Sequence, residues 1–244
     1  MIHLYHFWSS TCSRKVRICL AEKGIEWSSH HVDIVEKREN TEEWYVDINP
    51  KGVVPTLVYN DQIIIESNII IEFLNELVNE PELMPKDPYG RAQVRLWLDR
   101  SENTVHKNIN ILSWNRRHMK RMGHFSHQEH LGILENFPDP DKRFAMVKRL
   151  KNGVTEEDEK NAITILTSFM DELDKALSKN VCVVGDNFTL ADIAIAPFIE
   201  RFEANKLNML IDFQKWGNIG RWWLELQSRS SYKIAYSFEK PESQ

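Results

Sequence analysis

The chain has 244 residues, 42% of them hydrophobic and 27% charged, with a formal net charge of −5. That balance excludes a disordered or fibrous chain, and basic clusters confined to residues 116–121 and 142–151 give no general footprint for nucleic acid. Three cysteines with no CxxC pair and no Cys/His ligand spacing exclude a disulfide framework, argue against a zinc site or other metal centre, and point to a reducing compartment.

The opening residues carry no charged leader with an apolar core, and no apolar run reaches the ~18 residues of a membrane span, so a cytoplasmic protein away from membranes is expected. Residues 2–7 read as a strand and 14–23 as a helix ended by Gly24. Residues 27–35 alternate with period two as a second strand, and 42–48 suit a short helix before the turn residues Asn49-Pro50-Lys51-Gly52. Residues 53–59 and 62–65 flank Asn60-Asp61 as a hairpin, and 67–78 close the region as a helix. The order β-α-β-α-β-β-α therefore occupies residues 1–80. Prolines at 81, 85 and 88 make residues 81–88 a linker, after which 89–244 read as helices only. Residues 89–117 form one long amphipathic helix candidate, followed by 155–177, 190–202 and 216–229. Between the first two, residues 125–151 contain Asn136-Phe137-Pro138-Asp139-Pro140, which no continuous helix accommodates, so this insertion reads as a lid.

Ser9-Ser10-Thr11-Cys12-Ser13 places five small hydroxyl or thiol side chains at the first helix start, where unpaired N–H groups and partial positive charge favour a thiolate. Glu66-Ser67 stands at another helix start, where Ser67 either caps the helix or, with the terminal N–H groups, accepts a carboxylate while Glu66 pairs with an ammonium. Val53-Val54-Pro55 offers extended backbone to a second extended peptide. Together these describe a groove for a short peptide with an α-amino carboxylate at one end and a thiol at the other, the shape of glutathione. Thr189-Leu190-Ala191-Asp192 is a capping box with a structural role only.

These segments, with Asn49-Pro50-Lys51-Gly52-Val53-Val54-Pro55 and Gly185-Asp186-Asn187-Phe188-Thr189-Leu190-Ala191-Asp192-Ile193-Ala194, resemble the cytosolic glutathione transferase superfamily in order and spacing over nearly the whole chain. The resemblance implies an α/β thioredoxin-like N-terminal domain, an all-α C-terminal helical domain, a cis peptide before Pro55 and a homodimer. It implies glutathione as co-substrate, held by Lys51, Val54, Pro55, Glu66 and Ser67, with a hydrophobic, aromatic electrophile as second substrate. The catalytic position stays open among three residues. A zeta-like alignment gives Ser10, a beta-like one Cys12, and an alignment to the bacterial β-etherases Ser13, with Ser10 placed first. No tyrosine stands in the loop, unlike the tyrosine-type classes. The Pro138-Asp139-Pro140 segment also resembles the glutathione-dependent β-aryl etherases and dehalogenase-like members, which gives ether cleavage or dehalogenation as an alternative activity. A non-catalytic ligand-binding protein is a further alternative. Trp114, His118 and Phe137 are candidate walls of the acceptor pocket, and the basic run 116–121 reads either as a solvated face or as a preference for an anionic substrate.

Overall fold

The computed structural model describes residues 1–123 and 125–239. Its sheet has strand order β2-β1-β3-β4, from β1 (Ile2–His6), β2 (Ser28–His31), β3 (Thr56–Tyr59) and β4 (Gln62–Ile65). β1 runs parallel to β2 and antiparallel to β3, with Leu4 opposite Leu57 and both fully buried. β2 is shorter than the alternating pattern predicts. Just beyond it, Asp33 turns its carboxylate back to accept the N–H groups of Val35 and Glu36 at 2.8 Å, a side-chain turn that ends strand pairing. β3 begins only after Pro55, because that residue has no N–H and the carbonyl of Val53 is already taken by Tyr45 Oη and Asn49 Nδ2. Asn60 and Asp61, both at positive φ, close the β3–β4 hairpin as expected of a primed turn.

Three helices complete the N-terminal half: α1 (Thr11–Glu22), α2 (Glu43–Ile48) and α3 (Ser67–Leu77). The C-terminal half is helical throughout. α4 (Pro88–Arg100) starts at Asp87, whose carboxylate accepts the Gly90 N–H at 2.8 Å. The chain stays helical beyond it through Ser101–His106, α5 (Lys107–Ser113), Trp114–His118 and α6 (Met119–Arg121). The sequence predicts one α-helix here, but Ser101–His106 and Trp114–His118 are π-helical. The wider turn rotates the following residues about the axis, a distortion frequent at functional sites.

The insertion folds as α7 (His127–Glu135) and α8 (Pro140–Asn152), broken at Pro138 and restarted by Asp139, which accepts the N–H groups of Asp141 and Lys142 at 3.0 Å. α9 (Glu156–Leu177), α10 (Leu190–Ala204) and α11 (Gly217–Ser228) follow the predicted periodicity. α12 (Ser230–Tyr236) was not signalled by any cap or long apolar stripe. It packs on α1, where Arg17 Nε donates to the Ala235 carbonyl at 2.9 Å and Arg229 forks onto Glu22 at 2.7 and 2.8 Å. One apolar cluster runs from Leu4 and Ile18 through Val94 and Leu166 to Phe198 and Trp223, so sheet and helices share a core. The N-terminal half is thus a small mixed sheet with helices, thioredoxin-like as expected, and it is joined to an all-helical half. Among the described residues no helix is long and apolar enough to cross a membrane.

Candidate active site

α1 begins at the cavity because Ser10 is extended (φ −73°, ψ 128°) and its Oγ accepts the Ser13 N–H at 3.2 Å. Among the described residues the Ser10 hydroxyl donates to no group, so its proton is free to point outward. Ser13 faces the other way. It is fully buried, accepts the Phe7 N–H at 3.3 Å and takes no part in the cavity wall.

The cavity, of about 370 Å³, lies between the two halves of the chain. From the sheet half it takes Ser10, Cys12, Val54, Pro55, Glu66 and Ser67. The Val54–Pro55 peptide is cis, and neither the N–H nor the C=O of Val54 is bonded among the described residues. Glu66 is held at φ +70°, an uncommon conformation for a side-chain-bearing residue that clusters at ligand sites. Neither Glu66 nor Ser67 caps α3, so the first-turn N–H groups of that helix are left for another acceptor. Lys51 stands at the rim rather than on the wall, with Nζ 2.5 Å from Glu66 Oε1, and this hydrogen bond raises its pKa.

From the helical half come Phe137 and His118 on the wall, whereas Trp114 is buried behind His118 and stacks on it at 4.2 Å between ring centres. His118 Nε2 is 3.1 Å from His130 Nε2, and burial, with Arg38 nearby, pushes the His118 imidazole down to about 3, so it is neutral at physiological pH. The lid closes on the sheet half where Pro138 meets Gly52. A Cβ on Gly52 would lie 2.9 Å from Pro138 Cγ and from the Asn40 carbonyl, and its φ of +58° favours glycine independently.

Two cavity residues carry no local signal in the sequence. The π-helical Ser101–His106 turns Glu102 and His106 toward α1, so that His106 Nδ1 lies 2.7 Å from Glu102 Oε1 and 3.9 Å from Cys12 Sγ. Lys15, fully buried, stands 3.6 Å from Glu102 Oε2. Burial alone would raise the Cys12 thiol, but the positive charges of His106 and Lys15 outweigh it and bring it down to about 7. Burial disfavours charge on His106, yet Cys12 and Glu102 beside it raise its pKa. The ligand atoms of Cys12, Glu102 and His106 lie within 4.8 Å of one another, a cluster able to accept a metal ion and hidden from any spacing rule because His106 lies 94 positions after Cys12. Arg38, Asn40, Arg117 and Arg201 are further wall residues. Of these only Arg117, within the basic run 116–121, was marked in the sequence.

Residues 9–77 match the family model for the glutathione S-transferase N-terminal domain, and residues 133–230 match that for the C-terminal domain. Protein LigF of Sphingobium sp. (strain NBRC 103272 / SYK-6) is 27% identical over 99% of this chain and 95% of its own length. The crystal structure of β-etherase LigF from that strain superposes with a TM-score of 0.88 at 25% identity, covering 97% of this chain and 98% of that one. A tetrachloro-p-hydroquinone reductive dehalogenase from Sphingobium chlorophenolicum is 26% identical over 96% of this chain and 95% of its own length. A probable maleylacetoacetate isomerase from Caenorhabditis elegans is 31% identical over 84% of this chain and 80% of its own length. The glutathione S-transferase family uses glutathione as co-substrate. With both domains matched in order, the chain belongs to the glutathione S-transferase family.

Proposed function

We propose that the protein is a glutathione transferase that ionises the glutathione thiol at the start of α1 and directs it at an aromatic electrophile in the interdomain cavity. The observation that carries this reading is the convergence on one cavity of a hydroxyl with an uncommitted proton (Ser10), an unpaired peptide (Val54) and an uncapped helix start behind Glu66-Ser67. The tripeptide's γ-glutamyl carboxylate fits the α3 terminus, its ammonium fits Glu66, and its cysteinyl peptide pairs with Val54. On this reading the sulfur lies at Ser10. A free thiol ionises near about 8.5, and a hydroxyl donor plus the helix terminus favours the anion. The thiolate then forms a sulfur–carbon bond as the leaving group departs with its bonding electron pair, and the thiol proton is lost to solvent. Likeness to LigF and to the dehalogenase supports an ether oxygen or a halide as that leaving group.

A second reading rests on Cys12, whose thiol is lowered to about 7 beside His106 and which could exchange with a glutathione disulfide. Turnover of a chlorinated nitroarene with glutathione separates the two. Ser10→Ala lowers kcat by roughly a hundredfold, the scale of one lost transition-state hydrogen bond. Cys12→Ser does not. Ser13→Ala keeps the rate and costs about 1 kcal/mol of stability through its lost bond to Phe7. An unchanged rate in Ser10→Ala, with loss in Cys12→Ser, would transfer the role to Cys12.

A further inference from the structure

Arg116 and Arg117 are adjacent in sequence but differ in their surroundings. Arg116 forks onto Glu159 at 2.9 Å on the outside of the bundle. Arg117 lines the cavity, together with Arg121 one helical turn on. Like charges at that spacing repel and weaken a helix. Both side chains are half-buried, and burial, then the neighbouring guanidinium (Arg121 for Arg117, Arg201 for Arg121), pushes each below the ordinary arginine value. Among the described residues neither has a carboxylate within 4.0 Å. Glu200 is engaged by Arg14, and Asp33 and Glu36 face Arg121 only at longer range.

Nothing else on the wall supplies the missing anion. Its two carboxylates, Glu66 and Glu102, are tied to Lys51 and to His106 and Lys15. Across the cavity Arg38 has its Nε buried without a partner. Among the described residues Arg121 donates, at 3.4 Å, only to Ser9 Oγ, next to Ser10. Ile109, Met122, Phe137 and Met146 supply apolar surface between these charges. A planar ring would rest on that surface, with an anionic group reaching the arginines.

We propose that Arg117 and Arg121 form a carboxylate-binding subsite for the acceptor, so that the preferred substrate class is an aromatic electrophile bearing its own carboxylate. This rests on the glutathione transferase reading above. The two planar forks match a carboxylate in the way a lysine pair would not.

The test compares para-chloro-meta-nitrobenzoate with its methyl ester, which share the leaving group, each kcat/KM being divided by the uncatalysed rate with glutathione. The native enzyme favours the acid by about tenfold or more, the worth of one charge-assisted hydrogen bond. In Arg117→Gln and Arg121→Gln that ratio falls toward one through the acid's KM, while circular dichroism and Tm report the fold. A native ratio near one overturns the subsite. So does an equal loss on acid and ester, which would assign the arginines to the leaving group. A rise in the KM of glutathione with the ratio unchanged would assign them to the tripeptide's own carboxylate and likewise overturns it. If neither compound turns over, the transferase reading fails. Calorimetric titration of the same acid and ester into enzyme holding S-methylglutathione then decides the subsite, by whether the acid binds more tightly and loses that margin in the variants.

Discussion

Two acceptors compete for the single proton on His106 Nδ1. Glu102 Oε1 at 2.7 Å is within ordinary hydrogen-bond reach, whereas Cys12 Sγ at 3.9 Å is at the outer edge even for sulfur. The proton is therefore directed to Glu102, and His106 acts on Cys12 as a nearby positive charge. The sign follows directly. Above about 7 the Cys12 thiol is ionised in the folded protein, while Cys19 and Cys182 are pushed by burial up to about 12 and stay protonated through the neutral range. Iodoacetamide at neutral pH consequently modifies Cys12 alone, with a rate that rises to half its plateau near pH 7. His106→Gln shifts that midpoint upward by about one unit or more, because the charge opposing the burial penalty is gone. Peptide mapping across a pH series checks both statements. A midpoint near that of a free cysteine in the native protein contradicts them. The sequence marked Cys12 as a candidate at a helix start that favours a thiolate, but its partnership with His106 and Glu102 was not legible, since both lie unmarked in a long helix.

Among the elements, α10 shows how a local signal can be read correctly and still be undervalued. Thr189 and Asp192 read as a capping box, and the Asp192 carboxylate does take the Thr189 N–H at 2.8 Å. It also accepts the Val183 N–H at 3.0 Å and Trp222 Nε1 at 2.8 Å, holding together the loop before α10 and the middle of α11 while itself fully buried. Loss of an exposed cap costs about 1 kcal/mol. Asp192→Ala instead leaves several buried donors without partners, so it destabilises the protein by about 3 kcal/mol in denaturant unfolding, whereas Asp192→Asn, which keeps one acceptor, costs markedly less. Elements whose pattern is local were legible in this way. Strands β1, β3 and β4 follow from alternation and turn residues, and α9 and α11 from their apolar stripes. Three features were not. The Asp33 turn shortens β2 through a side chain, the π-helical stretches Ser101–His106 and Trp114–His118 follow from no local residue signal, and α12 is a short helix held by its contacts with α1.

At the scale of the molecule, the fold class was readable because two halves of different periodicity meet at a proline-rich boundary. The candidate cavity was legible unevenly, more on the sheet side than on the helical side, where only His118, Phe137 and the basic run 116–121 were marked. Ser10, Val54, Glu66 and Ser67 lie in loops or at helix starts of the sheet half, and their residue types suggest a tripeptide. The opposing wall depends on which turns of a long helix and a two-helix insertion face inward, and that is set by tertiary packing. Assembly from both halves also explains the lid contact at Gly52, where Pro138 and the Asn40 carbonyl leave no room for a side chain. The proposed activity turns on the ionisation of glutathione at the start of α1. Its most direct test is the ultraviolet thiolate absorbance of enzyme-bound glutathione as a function of pH, in a Cys12→Ser background that removes the protein's own thiolate. The expected midpoint lies at least about one unit below the ~8.5 of a free thiol and returns upward in the Ser10→Ala variant. A midpoint that stays at the free value, or one that Ser10→Ala leaves in place, contradicts it.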